Sequence, residues 1–334
     1  MDYFQLKKDI GYKTIKNAYV FVGPEAFLKR SVIDELVASF VPQELVQLNV
    51  SIIENDINTK TIIDMCETLP FAADKRIVII KDINFIKDDA EGLKALATYM
   101  NQISNMCCLI IIASEVLKQY TSIAKNACKV EFNQLSDNML LNWMTEFAKK
   151  ENVTLKKDSA NLLLQYCLSD MTAIKNELDK LIIYSKDKNS VIDKDDVEQI
   201  ATKSIQYNVF KMIDFFEQEK FDEAYEMYEA IKQEGGQTFA LLGAIAARFR
   251  NVYYAKALIE KGVRGDALNK ELKLNYYAAQ SAIKATKVYS ITQLNYIFEL
   301  LNETDYSIKN GGAKEAEAID NMLVHLFNKG KSDS

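Results

Sequence analysis

The chain has 334 residues, 49% hydrophobic and 26% charged, a profile that excludes a disordered or fibrous protein and supports buried cores. Its length exceeds what one core usually organises, so two or three domains are expected. The net charge of −6, from 41 basic and 47 acidic residues, excludes a global field for nucleic acid or anionic membrane, so any DNA contact is local or shared with partner subunits.

The inventory excludes more. One histidine, His325, stands on a helical face near the C-terminus, which leaves little room for histidine-based catalytic relays or metal sites; a structural residue is the expectation there. Five cysteines, Cys66, Cys107, Cys108, Cys128 and Cys167, show no CxxC spacing and read as reduced, mostly buried thiols. The longest apolar run, Cys107 to Ala113, is far shorter than the roughly 20 residues that span a bilayer. No signal peptide pattern is present, and a cytoplasmic location without membrane association is expected.

In chain order, residues 1–137 alternate between strand-like and helix-like segments. Val20–Val22, Val46–Ile53, Ile77–Ile80, Leu109–Ala113 and Val130–Phe132 are short apolar runs, and the intervening helical patterns begin with Phe27, Val32, Ile33, Leu36 and Val37. This alternation predicts an α/β domain with a parallel sheet. From Asn138 the period becomes 3.6, with Leu140, Leu141, Met144 and Phe147 on one face, then Leu162, Leu163 and Tyr166, then Ile174, Leu178, Leu181 and Ile182. A small helical domain over 138–206 is expected, its last short helix capped by Asp193.

A third domain, 207–334, opens with two amphipathic faces stopped by Gly235 and Gly236. Further stripes follow at Leu241, Leu242, Ile245 and Phe249, at Leu294, Ile297, Phe298 and Leu301, and at Ile319, Met322, Leu323 and Leu326. About five helices in a bundle are expected, with breaks at Gly262, Gly265 and the pair Gly311 and Gly312.

Two stretches carry the functional question. "GPEAFLKR", residues 23–30, is placed like a phosphate-binding loop after a strand, with Gly23 and Lys29 in matching positions. Leu28 stands where the second glycine belongs and Arg30 replaces the magnesium-binding hydroxyl, while Pro24 removes a backbone donor. Phosphate chemistry is expected to fail, and an ordinary strand–turn–helix with Glu25 in the first helical turn accounts for the pattern. In "RIVIIKD", Lys81 occupies the place of a metal-binding acid and Asp82 comes one step late, so no metal is assigned. The two KDD runs, 87–89 and 194–196, read as solvated charges.

The second stretch is "CETLPFAADKR", residues 66–76. Thr59–Glu67 reads as a helix that Pro70 ends, with Leu69 and Phe71 flanking the proline before the strand at Ile77. Such a pair is either a local staple folded back on its own domain or a protruding apolar plug for a partner's pocket, and spacing fits both.

With "YVFVGPEAFLKR", "TLPFAADKRIVIIKD", "IKNELDKLIIY", "NVFKMIDFF", "FRNVYYAKALIEKG" and "LNETDYSIKNGG" in this order and spacing, the chain resembles the delta subunit of the bacterial DNA polymerase III clamp loader over nearly its whole length. The resemblance implies a degenerate AAA+ domain with a P-loop-NTPase-like sheet, then a helical lid and a helical collar. It implies a non-catalytic subunit without cofactor, assembled in a pentamer with delta prime and gamma or tau subunits, binding and opening the beta sliding clamp for loading onto primed DNA. Leu69, Pro70 and Phe71 match the clamp-binding wedge, and by this resemblance the plug overtakes the staple. Primer–template DNA lies within such an assembly; Lys309, beside Asn310, Gly311 and Gly312, is a candidate phosphate contact or simply a lysine favoured at a helix C-terminus. A divergent ATPase using Lys29 and a helical scaffold unrelated to replication are the rival readings.

Overall fold

The computed structural model describes residues 1–233, 238–274 and 276–329. The chain divides into two compact units, Met1–Gln134 and Leu135–Ser334. The first contains α1 (Tyr3–Gly11), β1 (Ala18–Val22), α2 (Ala26–Phe40), the single turn α3 (Val46–Asn49), β2 (Val50–Ile53), α4 (Thr59–Glu67), β3 (Arg76–Ile80), α5 (Ala90–Tyr99), β4 (Cys107–Ala113), α6 (Thr121–Lys125) and β5 (Cys128–Glu131). The strands form one parallel sheet in the order β2-β3-β4-β1-β5.

Near-continuous apolar strands such as Arg76–Ile80 and Cys107–Ala113 belong in a sheet covered on both faces. On one face Val20, Val78, Ile80, Leu109 and Ile111 pack with Ile62 of α4, Leu93 and Leu96 of α5 and Ile123 of α6. The pleat turns Tyr19, Phe21 and Ile110 to the opposite side, where the Phe21 and Phe132 rings lie 4.8 Å apart. β1 sits between β4 and β5 although it comes first in sequence, so the chain leaving it crosses to the far edge. Such reversals open a crevice at the carboxyl ends of the strands, and Gly23 lies there.

The second unit contains α7 (Asp137–Lys150), β6 (Thr154–Leu155), α8 (Lys157–Tyr166), α9 (Met171–Lys186), β7 (Val191–Ile192), α10 (Lys194–Ile200), α11 (Ile205–Glu217), α12 (Phe221–Gln233), α13 (Thr238–Glu260), α14 (Gly265–Leu272), α15 (Tyr276–Ala285), α16 (Ile291–Lys309) and α17 (Glu315–Lys329). Leu241, Leu242, Ile245 and Phe249 of α13 form the middle of a core shared with Ile213, Leu294, Ile297, Met322 and Leu323. An α/β unit with a parallel sheet followed by a mostly helical unit is the fold class expected from the sequence.

Several local expectations differ from what forms. Val46–Ile53 is a helical turn followed by a strand, because Asn49 is drawn inward to bond backbone groups. Among the described residues seven helices follow Ser204 rather than about five; the two that were not expected are the short α14 and the alanine-rich α15. A two-residue parallel ladder, β6 with β7, interrupts the helices of the second unit. Gly235 and Gly236 lie outside the described residues.

The KDD runs are exposed as expected except for Asp196, and three of their aspartates also hold helix starts. Asp89 accepts from Gly92 N at 2.8 Å to start α5, and Asp88 accepts from Thr59 N at 3.2 Å at the start of α4. Asp196 is buried and closes a capping box with Asp193, with Lys188 at 2.6 Å. The Asp193 cap is the one expected.

Arg248 of α13 is 1% exposed and is held by Asp214 at 3.4 Å and Glu217 at 3.6 Å, both of α11. Ser281 of α15 also donates to Asp214, at 3.2 Å. Burial raises the Glu217 carboxyl above the usual range, with Arg248 acting against it. Removing one partner leaves an uncompensated buried charge. Arg248→Ala is therefore expected to lower stability by about 3–5 kcal/mol at pH 7. A carboxyl whose folded pKa is raised stabilises fully below its unfolded pKa and loses that contribution as pH rises through the folded value. The loss should accordingly shrink as the pH is lowered from 7 and Glu217 takes up a proton, and denaturant melts over a series of pH values measure the difference.

Candidate functional site

The crevice at the end of β1 is closed by the chain itself. Lys29, on the first turn of α2, is 6% exposed. Its Nζ donates to Gly23 O at 2.6 Å and to Ala113 O at 2.9 Å. The ammonium thus ties the loop to the end of β4 instead of reaching toward solvent. Burial pulls its pKa below the usual lysine range, with Asp82 and then Glu25 acting against that shift.

The loop's backbone donors are also engaged. Gly23 N donates to Ser114 O at 3.3 Å and Glu25 N to Phe132 O at 3.1 Å, and Pro24 has no donor to offer. Gly23 has φ +121°, and a Cβ there would meet Phe132 O at 2.3 Å. Glycine is thus required by β5's continuation, irrespective of any phosphate. Leu28 is buried in the core and Arg30 is exposed. Asp82 accepts from Asn84 N at 2.8 Å, capping a turn after β3, and Lys81 pairs with Glu54. Of the residues that resemble a nucleotide site, Gly23, Lys29, Lys81 and Asp82 are bonded within the fold, Leu28 packs in the core and Arg30 is exposed.

The second candidate stands at the end of α4. Thr68 leaves the helix with extended backbone, and Leu69 and Phe71 are 71% and 63% exposed. Pro70 lies half-buried between them. The two side chains are not folded back as a staple; they project from the unit. Among the described residues they belong with Tyr12, Ile183, Tyr225 and Tyr306 as the most exposed large apolar or aromatic side chains.

The backbone beneath them is fixed. Asn49, 0% exposed, accepts from Phe71 N at 2.7 Å, and its Nδ2 donates to Phe71 O at 2.9 Å and to Leu45 O at 3.0 Å. Ala72 follows with φ +48°, a left-handed backbone uncommon for a residue with a Cβ. Asp74 N donates to Phe40 O at 3.1 Å, and Asp74 pairs with Lys13 at 3.0 Å. Arg76 spreads its guanidinium over Met65 O at 3.0 Å, Leu48 O at 2.9 Å and Ser51 Oγ at 2.9 Å. It joins α4, α3 and β2 under the loop. The sequence reading missed Asn49 and Arg76, since bonds from a side chain to backbone twenty or more residues away leave no periodic trace.

Lys309 ends α16, exposed and paired with Asp305 at 2.6 Å. His325 is exposed on α17. All five cysteines are free; Cys66, Cys107, Cys108 and Cys167 are buried and Cys128 is half-buried. Among the described residues no helix is long and apolar enough to cross a membrane.

The fold is shared with a solved DNA clamp loader delta protein of Bacillus subtilis, at 21% identity over 98% of this chain and 99% of that one, with a TM-score of 0.74. Two family models match, DNA polymerase III, delta subunit, over residues 19–133, and DNA polymerase III delta subunit, C-terminal domain, over residues 206–326. Together they cover more than half of the chain, which belongs to the DNA polymerase III delta subunit family. Among curated proteins it is 22% identical to DNA polymerase III subunit delta of Bacillus subtilis, over 99% of this chain and 98% of that protein. It is 24% identical to the probable DNA polymerase III subunit delta of Aquifex aeolicus, over 81% of this chain and 79% of that protein.

The Lys29 bonds generate a prediction. Lys29→Met keeps the buried stem and removes both donated bonds, leaving two carbonyls to find other partners. It is expected to lower stability by about 1–3 kcal/mol, measured by denaturant unfolding; an unchanged midpoint would show that the ammonium does not hold the loop.

Proposed function

We propose that this clamp-loader subunit binds the beta sliding clamp through Leu69, Pro70 and Phe71 and opens it for loading onto primed DNA. The observation that carries the reading is the pair of large apolar side chains, 71% and 63% exposed, on a loop whose backbone is held from beneath. Leu69 and Phe71 act as anchors in an apolar pocket of the clamp, and Pro70 fixes their splay.

Opening requires only that the chain bind the open clamp more tightly than the closed one, since a ligand shifts an equilibrium by its differential affinity. Each anchor contributes roughly 1.5–3 kcal/mol on full burial. That is enough to bias a ring that already opens transiently.

The subunit is non-catalytic in this reading. Lys29 and the donors after β1 are spent on carbonyls of the fold, which argues against the rival ATPase; hydrolysis belongs to neighbouring subunits. The first domain, 1–137, carries the wedge, 138–206 is the lid, and 207–334 is the collar. Through the collar the chain joins delta prime and gamma or tau subunits in a cytoplasmic pentamer around primer–template DNA. Lys309 contacts a phosphate there, exchanging Asp305 for it.

Leu69→Ala with Phe71→Ala is expected to weaken clamp binding by about 100-fold or more, read by biolayer interferometry with the clamp of the same organism, while the circular dichroism spectrum and melting midpoint stay unchanged. Lys309→Ala should leave that affinity intact and lower the retention of primed DNA by the assembled loader. Full affinity in the double variant would place clamp binding elsewhere on the chain.

A further inference from the structure

We propose that Asn49 is a positioning residue for the clamp-binding loop, a polar latch that holds Phe71 outward before any partner arrives. The inference rests on the clamp-binding reading of Leu69 and Phe71. It goes beyond that reading by assigning the loop's conformation to a side chain on another element.

The geometry is that of a ladder partner supplied by a side chain. Asn49 Oδ1 accepts from the N–H of Phe71 at 2.7 Å, and its Nδ2 donates to the carbonyl of the same residue at 2.9 Å. Its second amide proton is directed to Leu45 O at 3.0 Å, so the bond network itself fixes which way the amide faces. Asn49 is 0% exposed although polar, and a buried amide is tolerated because these bonds satisfy it. Both backbone groups of one residue are thereby locked, which sets the direction of the Phe71 Cα–Cβ bond.

Without that lock the physical preference is different. An exposed Phe and Leu on a free loop gain by folding onto apolar surface nearby, and the staple conformation would compete with the projecting one. The projecting loop also includes Ala72 at φ +48°, a conformation that persists only where its surroundings enforce it. Arg76, bonded to Met65 O, Leu48 O and Ser51 Oγ, keeps α3 and the end of α4 together, so the latch and the loop share one frame. Binding then begins from an ordered anchor, and the ordering entropy that a free loop would lose on association is already spent in folding.

The test compares Asn49→Ala and the isosteric Asn49→Asp, each in the wild-type and in a Phe71→Ala background. Clamp affinity is read by biolayer interferometry, and amide hydrogen exchange is followed over residues 68–74. Each Asn49 variant is expected to weaken clamp binding by about tenfold, the equivalent of one or two lost hydrogen bonds, and to speed exchange in the loop while the sheet keeps its protection. In the Phe71→Ala background, where there is no ring to aim, the same changes should cost less than threefold. A purely structural role for Asn49 would instead give equal losses in both backgrounds, and that result overturns the proposal. Wild-type affinity in both Asn49 variants, alongside lost binding in Leu69→Ala with Phe71→Ala, overturns the latch and leaves the wedge standing. Retained binding in that double variant overturns both. Should Asn49→Ala not fold, Asn49→Asp alone decides, by the same comparison of backgrounds.

Discussion

The contact on which the first unit depends is the buried ammonium of Lys29 between Gly23 O and Ala113 O. It joins the turn after β1 to the end of β4, the neighbouring strand in the middle of the sheet, at the place where the strand order reverses. In a phosphate-binding version of this architecture the lysine faces outward and the loop's N–H groups wrap an anion. Here the lysine faces inward, and carbonyls of β4, of the residue after it and of Phe132 take the bonds a nucleotide would take. The parts that resemble a nucleotide site here tie the end of β1 to β4 and to Phe132. The exposed apolar surface of this unit lies elsewhere.

That surface lies at the end of α4, where chemistry and exposure separate. The side chains of Asn49 and Arg76 in this region are turned toward the backbone, and the apolar Leu69 and Phe71 are turned to solvent. This inversion of the usual arrangement is unfavourable for the isolated chain by the apolar area left wet. It becomes favourable when a partner covers that area. Holding the backbone with buried hydrogen bonds prevents the loop from relieving the exposure by collapse. In the proposed clamp-binding role, a rigid apolar projection would transmit strain to its partner better than a flexible one, because a pliant loop deforms before its partner does.

The fold class was legible because the sequence carries two strong signals, short β-branched runs such as Arg76–Ile80 and long 3.6-period stripes such as that of α16. The departure from a phosphate-binding pattern was legible from Leu28 and Arg30, since those side chains differ from the glycine and the hydroxyl that the pattern asks for. Where Lys29 would go instead was not legible: its partners are carbonyls, and a backbone carbonyl has no residue identity to read. The same holds for Asn49. A buried asparagine bonded to Phe71, 22 residues away, looks in sequence like part of a strand run, and Val46–Ile53 was read so. The capping bonds of the KDD aspartates and the burial of Asp196 were not legible because capping depends on where a helix starts, and boundaries are the weakest product of periodicity. Leu69 and Phe71 stood out by type, but whether they staple or project is decided by those unreadable backbone bonds.

The claim that the projecting loop is a wrench, more than a docking site, is tested most directly by the distance across one subunit interface of the sliding clamp, measured with a pair of spin labels by double electron–electron resonance before and after adding the purified chain without nucleotide. The account predicts a second, longer distance population that grows with the chain's concentration to saturation. A clamp that binds the chain at saturation with its interface distance unchanged would contradict it.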